Sequence, residues 1–332
     1  MREFISLPDH LERTVLTRNG SFRVESGPVP ELAPGDLLFR LVAAGITAED
    51  VSPSLYGGRT PPGIPVGEIA AVGEDVGGWS PLDRALLLRP PLLPSMPPLN
   101  GLANYVHVPA ALDKRDLDVR LSAEIPAEEA TLLPAAAMAV RILREAQVPA
   151  GGRLLVLGLG LVGQIVVLLA RHQRVDQIYA GDVSATLRRK AEWSGATRMV
   201  QLPHEWVTDA VTSTIGDSGV HAAVVLLPDA ALIHQAFATL GVGGSLVLGA
   251  EFPASILMAI PAARIHSREI RMQGVRRFTE RDMRDAIQAV RQGVVNAETL
   301  VSKRIAWDEL QEVSLNDDYW YHGTHVVLEG PA

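Results

Sequence analysis

Three glycines and one acid stand at spacings suited to holding a dinucleotide. Gly158, Gly160 and Gly163 form a Gly-x-Gly-x-x-Gly run with Leu161 and Val162 inside it, and Asp182 follows Gly163 by 19 residues. The first glycine of such a run permits a tight turn out of a strand. The second lets a pyrophosphate approach the backbone, and the third lets a helix pack closely on the sheet. That helix aims its unpaired N–H groups and the positive end of its dipole at the phosphates. A carboxylate at Asp182 accepts hydrogen bonds from the adenosine ribose hydroxyls and repels a 2′-phosphate, which favours NAD over NADP. Arg188 and Arg189 pull the other way, since a nearby arginine accepts that phosphate.

A glycine run means little unless strands and a helix position it. The apolar residues 154–157, bounded by glycine, read as a buried parallel strand; 161–171 reads as a helix, and 177–181 as a second strand, with Asp182 and Val183 just beyond. The alternation continues to about 275. Strands are expected near 153–157, 177–181, 197–201, 220–227, 244–250 and 269–275. Helices are expected near 161–172, 185–194, 204–215, 229–240 and 255–264, with another at 281–292. Six parallel strands with helices on both faces make a doubly wound α/β domain. Its ligand site lies at the carboxyl ends of the strands, which adds Leu227-Pro228, Gly249-Ala250 and Val275-Arg276 to the candidate dinucleotide contacts.

Residues 1–135 read as β-rich, with strands in LLFRLVAAGI, GEIAAVG, DRALLLRP and LANYVHVPA separated by many prolines and glycines. Residues 89–98 hold five prolines and read as loop. Residues 128–147 read as a helix interrupted near Pro134. The last apolar strand, THVVLE, returns to the β-rich part. The α/β domain, 136–276, is then an insertion in a second domain made of 1–135 and 277–332.

Bulk properties restrict the partners. The chain has 332 residues, 47% hydrophobic and 20% charged, enough for two domains with large cores. A net charge of −8 and the lack of a basic block argue against nucleic acid or an anionic membrane. Cysteine is absent, so neither a disulfide nor a thiolate zinc site can form. The first fifteen residues lack a signal-peptide core and no segment reads as bilayer-spanning, so a cytoplasmic protein acting on a small molecule is expected.

The chain resembles the medium-chain dehydrogenases/reductases over essentially its full length. LAPGDLLFRLVAAGI resembles that family's early strand pair, GEIAAVGEDV its GHE-containing strand, and GLANYVHVPA the segment leading to the linker helix. QIYAGDVSATLRRKAEWSGATRMVQ and REIRMQGV are similar to the polyol dehydrogenase branch, while the Leu-Pro of ATLLPAAAMAV resembles the zinc-free quinone reductases. The resemblance implies a Rossmann domain inserted in a GroES-like catalytic domain. It also implies homodimers joined by edge strands, REIRMQGV being the edge here.

Departures from the family's zinc pattern matter as much. The resemblance puts Thr47 where the catalytic cysteine stands, Gly67 at the GHE histidine with Glu68 as its glutamate, and Pro134–Ala137 at the third ligand. The proline-rich 89–98 replaces the four-cysteine lobe. A catalytic zinc needs about three protein ligands, so no metal is expected. His322 and His325, three apart beside a strand, face opposite ways and do not rebuild a site.

Hydride transfer without zinc needs another group at the substrate oxygen. The resemblance gives Thr47 as a hydrogen-bond donor, Glu49 at the proton-relay position, and Glu68 and Tyr56 as further catalytic candidates, with Asp50 and Tyr105 nearby. Each has a plainer reading. Thr47 fills the space of a thiol, Glu49 is a solvated loop acid, Asp50 a turn acid, Glu68 an arginine's partner, and the tyrosines are packing residues. The favoured function is zinc-independent, NAD(H)-dependent oxidation or reduction of an alcohol or carbonyl on a polyol- or sugar-like molecule. The alternatives are an NADPH-dependent enone or quinone reductase, a redox-neutral isomerase, epimerase or lyase retaining NAD, and a non-catalytic nucleotide sensor.

Overall fold

The computed structural model describes residues 10–47, 50, 63–88, 102–110, 118–313, 317, 319–320 and 323–331. The chain divides into two units, 1–132 with 301–332, and 133–300.

The first unit opens with an antiparallel hairpin of β1 (His10–Leu16) and β2 (Phe22–Pro28). Then come β3 (Leu37–Ile46), β4 (Ile64–Val72), β5 (Arg84–Leu87), β6 (Tyr105–Val108), β7 (Asp118–Arg120) and the short α1 (Ala127–Ala130). Strand β3 is nearly all buried, as its apolar sequence LLFRLVAAGI demands. It pairs antiparallel with β4 and, at its start, with β6. Asp36 fixes that start: its carboxylate accepts the Ala33 and Ala110 N–H groups and contacts His107 Nε2 at 2.8 Å. The His107 bond and the two backbone bonds hold the Asp36 pKa below its ordinary value, although burial opposes them most strongly.

The second unit starts at α2 (Leu133–Ala146), where the expected 128–147 helix resumes after a break at 131–132. Pro134 sits in the first turn, where its missing N–H costs nothing. The unit then alternates: β8 (Arg153–Leu157), α3 (Leu161–His172), β9 (Gln177–Asp182), α4 (Ala185–Trp193), β10 (Arg198–Gln201), α5 (Val207–Ile215), β11 (Val220–Val225), α6 (Ala230–Ala238), β12 (Leu240–Leu248), α7 (Ala262–Arg268) and β13 (Arg271–Gly274). The six strands form one parallel sheet in the order β10-β9-β8-β11-β12-β13. Its core packs Leu155, Leu157, Tyr179, Val225, Phe237 and Leu246 among others. The doubly wound α/β expectation is met. The helix expected at 255–264 is instead Ala262–Arg268, because Pro261 cannot continue a helix from its N-terminal side and becomes its N-cap.

The return point also differs from 277. Helices α8 (Glu280–Arg291) and α9 (Ala297–Leu300) belong to the second unit. Met283, Ala286, Ala289 and Val290 are the buried face of α8. Arg144 of α2 meets Asp282 Oδ1 at 2.6 Å and Asp285 Oδ2 at 2.9 Å, so α8 is tied to α2. The chain returns to the first unit at 301, where β14 (Val301–Ile305) and β15 (His325–Glu329) complete the order β14-β15-β3-β4-β5-β7 with β6 on β3. Among the described residues no helix is long and apolar enough to cross a membrane.

Candidate functional site

Strand β8 ends level with its neighbours. Leu157 pairs in register with Gly181 and Val225, Val225 with Leu248, and Leu248 with Gly274. The segments beginning after those residues therefore leave one end of the sheet together. They carry the glycine run, Asp182-Val183, Leu227-Pro228, Gly249-Ala250 and Val275. Their backbones are tied to the sheet end: Leu226 N–H donates to Leu157 O, Gly249 N–H to Val225 O, and Val275 N–H to Leu248 O.

The glycines differ in what requires them. Gly158 has φ +99°, which other residues rarely adopt, and a Cβ there would lie 3.0 Å from Leu226 and Leu227 side-chain atoms. Gly163 faces the elbow itself, and a Cβ there would lie 2.0 Å from Gly158 O. Gly160, the N-cap of α3, has extended ψ and nothing within 4 Å of its built Cβ. No side chain caps this helix start, so the first-turn N–H groups, Leu161 and Val162 among them, have no intrahelical acceptor.

Asp182 is buried, and backbone N–H groups hold both its oxygens. Oδ2 accepts from Leu159 and Oδ1 from Ser184, each at 2.8 Å. A carboxylate has about four acceptor directions, so two remain. Val183 beside it is exposed. Arg188 Nη1 donates to the carbonyls of Asp182 at 2.7 Å and Val183 at 3.0 Å. The predicted cofactor residues thus come together within the second unit.

The predicted catalytic residues do not all come together. Thr47 follows β3, and its N–H and hydroxyl both donate to Asp50 Oδ2, at 3.0 and 2.7 Å, while Asp50 N–H donates to Thr47 O. A hydroxyl has one hydrogen, so Thr47 in this arrangement accepts rather than donates, contrary to the donor role expected. Asp50 is the buried acid of that turn. We expect Asp50→Ala to lower unfolding free energy by about 2 kcal/mol, since two donors lose their acceptor. Urea denaturation of wild type and variant checks this.

Glu68 is not beside Thr47. The β3–β4 register sets Glu68 opposite Arg40, seven residues before Thr47 on an extended strand, or roughly 20 Å. Its carboxylate accepts from Arg40 Nη2 at 2.7 Å. Gly67 is required by the strand pair, because a Cβ there would lie 1.9 Å from Arg40 O. Level with the end of β3 stand Gly63 and Ile64, neither able to ligate. Tyr105 also lies opposite Arg40, and burial raises its hydroxyl pKa. Glu49 and Tyr56 fall outside the described residues, as does His322.

From the sequence, His325 faces the opposite way from His322 and rebuilds no metal site with it. The structure packs it on Gly45, whose built Cβ would lie 2.5 Å from the ring. Thr131 Oγ1 donates to Glu128 O at 2.6 Å and therefore accepts from His325 Nε2, at 2.9 Å. Nδ1 is buried with no partner, and burial pushes the pKa down to about 4. A glycine inside an apolar strand was the only cue that a neighbour comes this close.

Among the described residues no three His, Cys, Asp or Glu side chains cluster to hold a metal. Thr47, Gly63, Ile64 and a histidine already bonded to Thr131 do not fit a zinc ion with three protein ligands.

Residues 162–292 match the family model described as zinc-binding dehydrogenase. Human sorbitol dehydrogenase is 26% identical, the match covering 88% of each chain. A dehydrogenase from Sinorhizobium meliloti 1021, described as a putative zinc-binding one and solved bound to NADP, superposes with a TM-score of 0.79 at 21% identity, covering 97% of this chain and 100% of that one. An alcohol dehydrogenase from Escherichia coli CFT073, complexed with NADH, gives 0.80 at 15% identity, covering 97% and 100%. The chain is thus similar over most of its length to alcohol and polyol dehydrogenases, and residues 162–292 carry the zinc-binding dehydrogenase domain.

Proposed function

We propose that this chain is a zinc-independent, NAD(H)-dependent oxidoreductase acting on an alcohol or carbonyl of a small polyol- or sugar-like molecule. The observation that carries the reading is the glycine elbow at 158–163 with Asp182 level beside it at one end of the parallel sheet. The open space at Gly160 and the uncapped start of α3 suit a pyrophosphate. The two free acceptor directions on Asp182 suit ribose hydroxyls. The relatives' names support the polyol substrate class.

When bound, the nicotinamide supplies or takes the hydride. The chain must then take the alcohol's proton or return it to the carbonyl. Glu49 is the candidate, by its place in the sequence after Thr47 and Ala48. Thr47, with its hydrogen given to Asp50, can accept a hydrogen bond from the substrate hydroxyl.

Fluorescence titration with NADH and NADPH, a panel of polyols with NAD+, and elemental analysis test the reading together. NADH binding at least about tenfold tighter than NADPH, polyol-dependent NADH formation and no stoichiometric zinc are expected. Stoichiometric zinc with activity lost on chelation would refute zinc independence. A second reading, NADPH-dependent reduction of an enone or quinone, is favoured by Arg188, whose guanidinium lies against the Asp182 and Val183 carbonyls. Under it, Arg188→Ala weakens NADPH binding and spares NADH.

We also propose a homodimer. β13 bonds on one side to β12, and its residues 271, 273 and 274 are exposed, as are Val242 and Leu257 of the same unit. Light scattering reads the state directly.

A further inference from the structure

The glycine elbow is held by more than its own turn. Leu159, between Gly158 and Gly160, has both its peptide groups committed. Its N–H donates to Asp182 Oδ2 at 2.8 Å, and its carbonyl accepts from Gln164 Nε2 at 3.0 Å. The same nitrogen donates to Leu187 O at 2.8 Å. Leu187 N–H reaches Ser184 Oγ at 3.3 Å, and Ser184 N–H returns to Asp182 Oδ1 at 2.8 Å. The bonds close a ring through Asp182, Leu159, Gln164, Leu187 and Ser184, all of them buried.

We infer that Gln164 is a positioning residue for the dinucleotide, fixing the elbow's peptide plane and the Asp182 carboxylate through this ring. Two carbonyl acceptors flank the side-chain nitrogen, so the amide's orientation is set and both its hydrogens are used. Gln164 Oε1 is buried without a partner. An orphaned acceptor is an expense that an apolar residue of similar length would avoid, at a helix position where apolar residues are otherwise buried. What the amide secures in exchange is the elbow. A peptide held from both sides does not reorganise when a ligand arrives, and such preorganisation lowers the cost of binding. The ring also ties the N-cap of α4, through Ser184, to the start of α3.

The inference rests on the dinucleotide reading above, and its test separates the two. Gln164→Met keeps length and removes both donors. NADH fluorescence titration is expected to show a Kd raised about tenfold, with the Tm of the coenzyme-free protein falling by no more than a few degrees. If Tm falls while Kd stays within twofold, Gln164 is merely structural and the inference is overturned. Should the variant fail to fold, amide exchange on the wild type decides. Leu159 N–H is expected to be protected before coenzyme is added; free exchange there, with protection only on binding, overturns the inference. Failure of the wild type to bind either NADH or NADPH would instead overturn the dinucleotide reading, while Leu159 exchange still reports whether the ring exists.

Discussion

Gly163→Ala is expected to cost the most of any single methyl in the chain's second unit, and Gly160→Ala the least stability for the most affinity. A Cβ at Gly163 would lie 2.0 Å from Gly158 O, a separation atoms do not tolerate, so the elbow or α3 must move. Both are packed backbone. The expected result is a loss of about 3 kcal/mol or more of unfolding free energy, or an insoluble product, as for overpacking in a close-packed interior. At Gly160 a Cβ meets no protein atom within 4 Å. Exchange of a helix N-cap glycine for alanine costs no more than about 1 kcal/mol. The new methyl instead enters the space assigned to the pyrophosphate, so NADH affinity should fall at least about tenfold. Urea denaturation and NADH titration of both variants separate these effects. A Gly160→Ala protein that binds NADH as tightly as wild type would place the phosphates elsewhere.

Acid should weaken the first unit through one histidine. His325 is buried, neutral and pushed down to about 4 by burial. Below its unfolded value of about 6.5 the unfolded chain takes a proton that the folded chain refuses, so stability falls with falling pH. Its contribution is intact above 6.5 and is lost progressively down to about 4, on the order of 3 kcal/mol in all. His221, lowered by burial and by Arg153, acts in the same direction. Asp36 and Glu25, both lowered, act below the ordinary carboxylate value and leave that window to the histidines. The prediction is a urea midpoint that drops between pH 7 and pH 4.5 in wild type and drops less in His325→Gln, whose side chain can still donate to Thr131. Equal drops in both would remove His325 as the cause.

The second unit was readable in advance because its chemistry constrains residue types one by one. Gly158 needs a positive φ, Gly163 a close approach, and Asp182 an acid at a strand end; few other residues serve, so the sequence displays the need. Glu68 shows the opposite case. A Gly-Glu pair in a strand looks the same whatever lies across from it. Bulges between Leu38 and Phe39 and between Leu41 and Ala43 set the pairing, and these depend on partners far off in the chain. The resemblance placed that pair at a metal site, and the register puts it with Arg40. Helix α8 was found by its period, yet its unit was misjudged, since an amphipathic stripe tells that a face is buried and not against what. Gln164 was passed over because an amide on an apolar helix carries no motif; only the carbonyls around it give it meaning.

Strand β15, near the C-terminal end of the sequence, lies inside the first unit's sheet, between the edge strand β14 and β3. As a nascent chain leaves the ribosome, β3 through β7 emerge long before the strand that must sit beside β3, and the whole second unit is made in between. The second unit's sheet uses only its own residues and can close during synthesis. The first must wait, with β3 unpaired on one flank over Ala43–Ile46, until β15 is made. Removing the residues from 325 onward would therefore leave ribosome-bound and released chains alike with an open sheet, a surface for chaperones rather than a smaller enzyme.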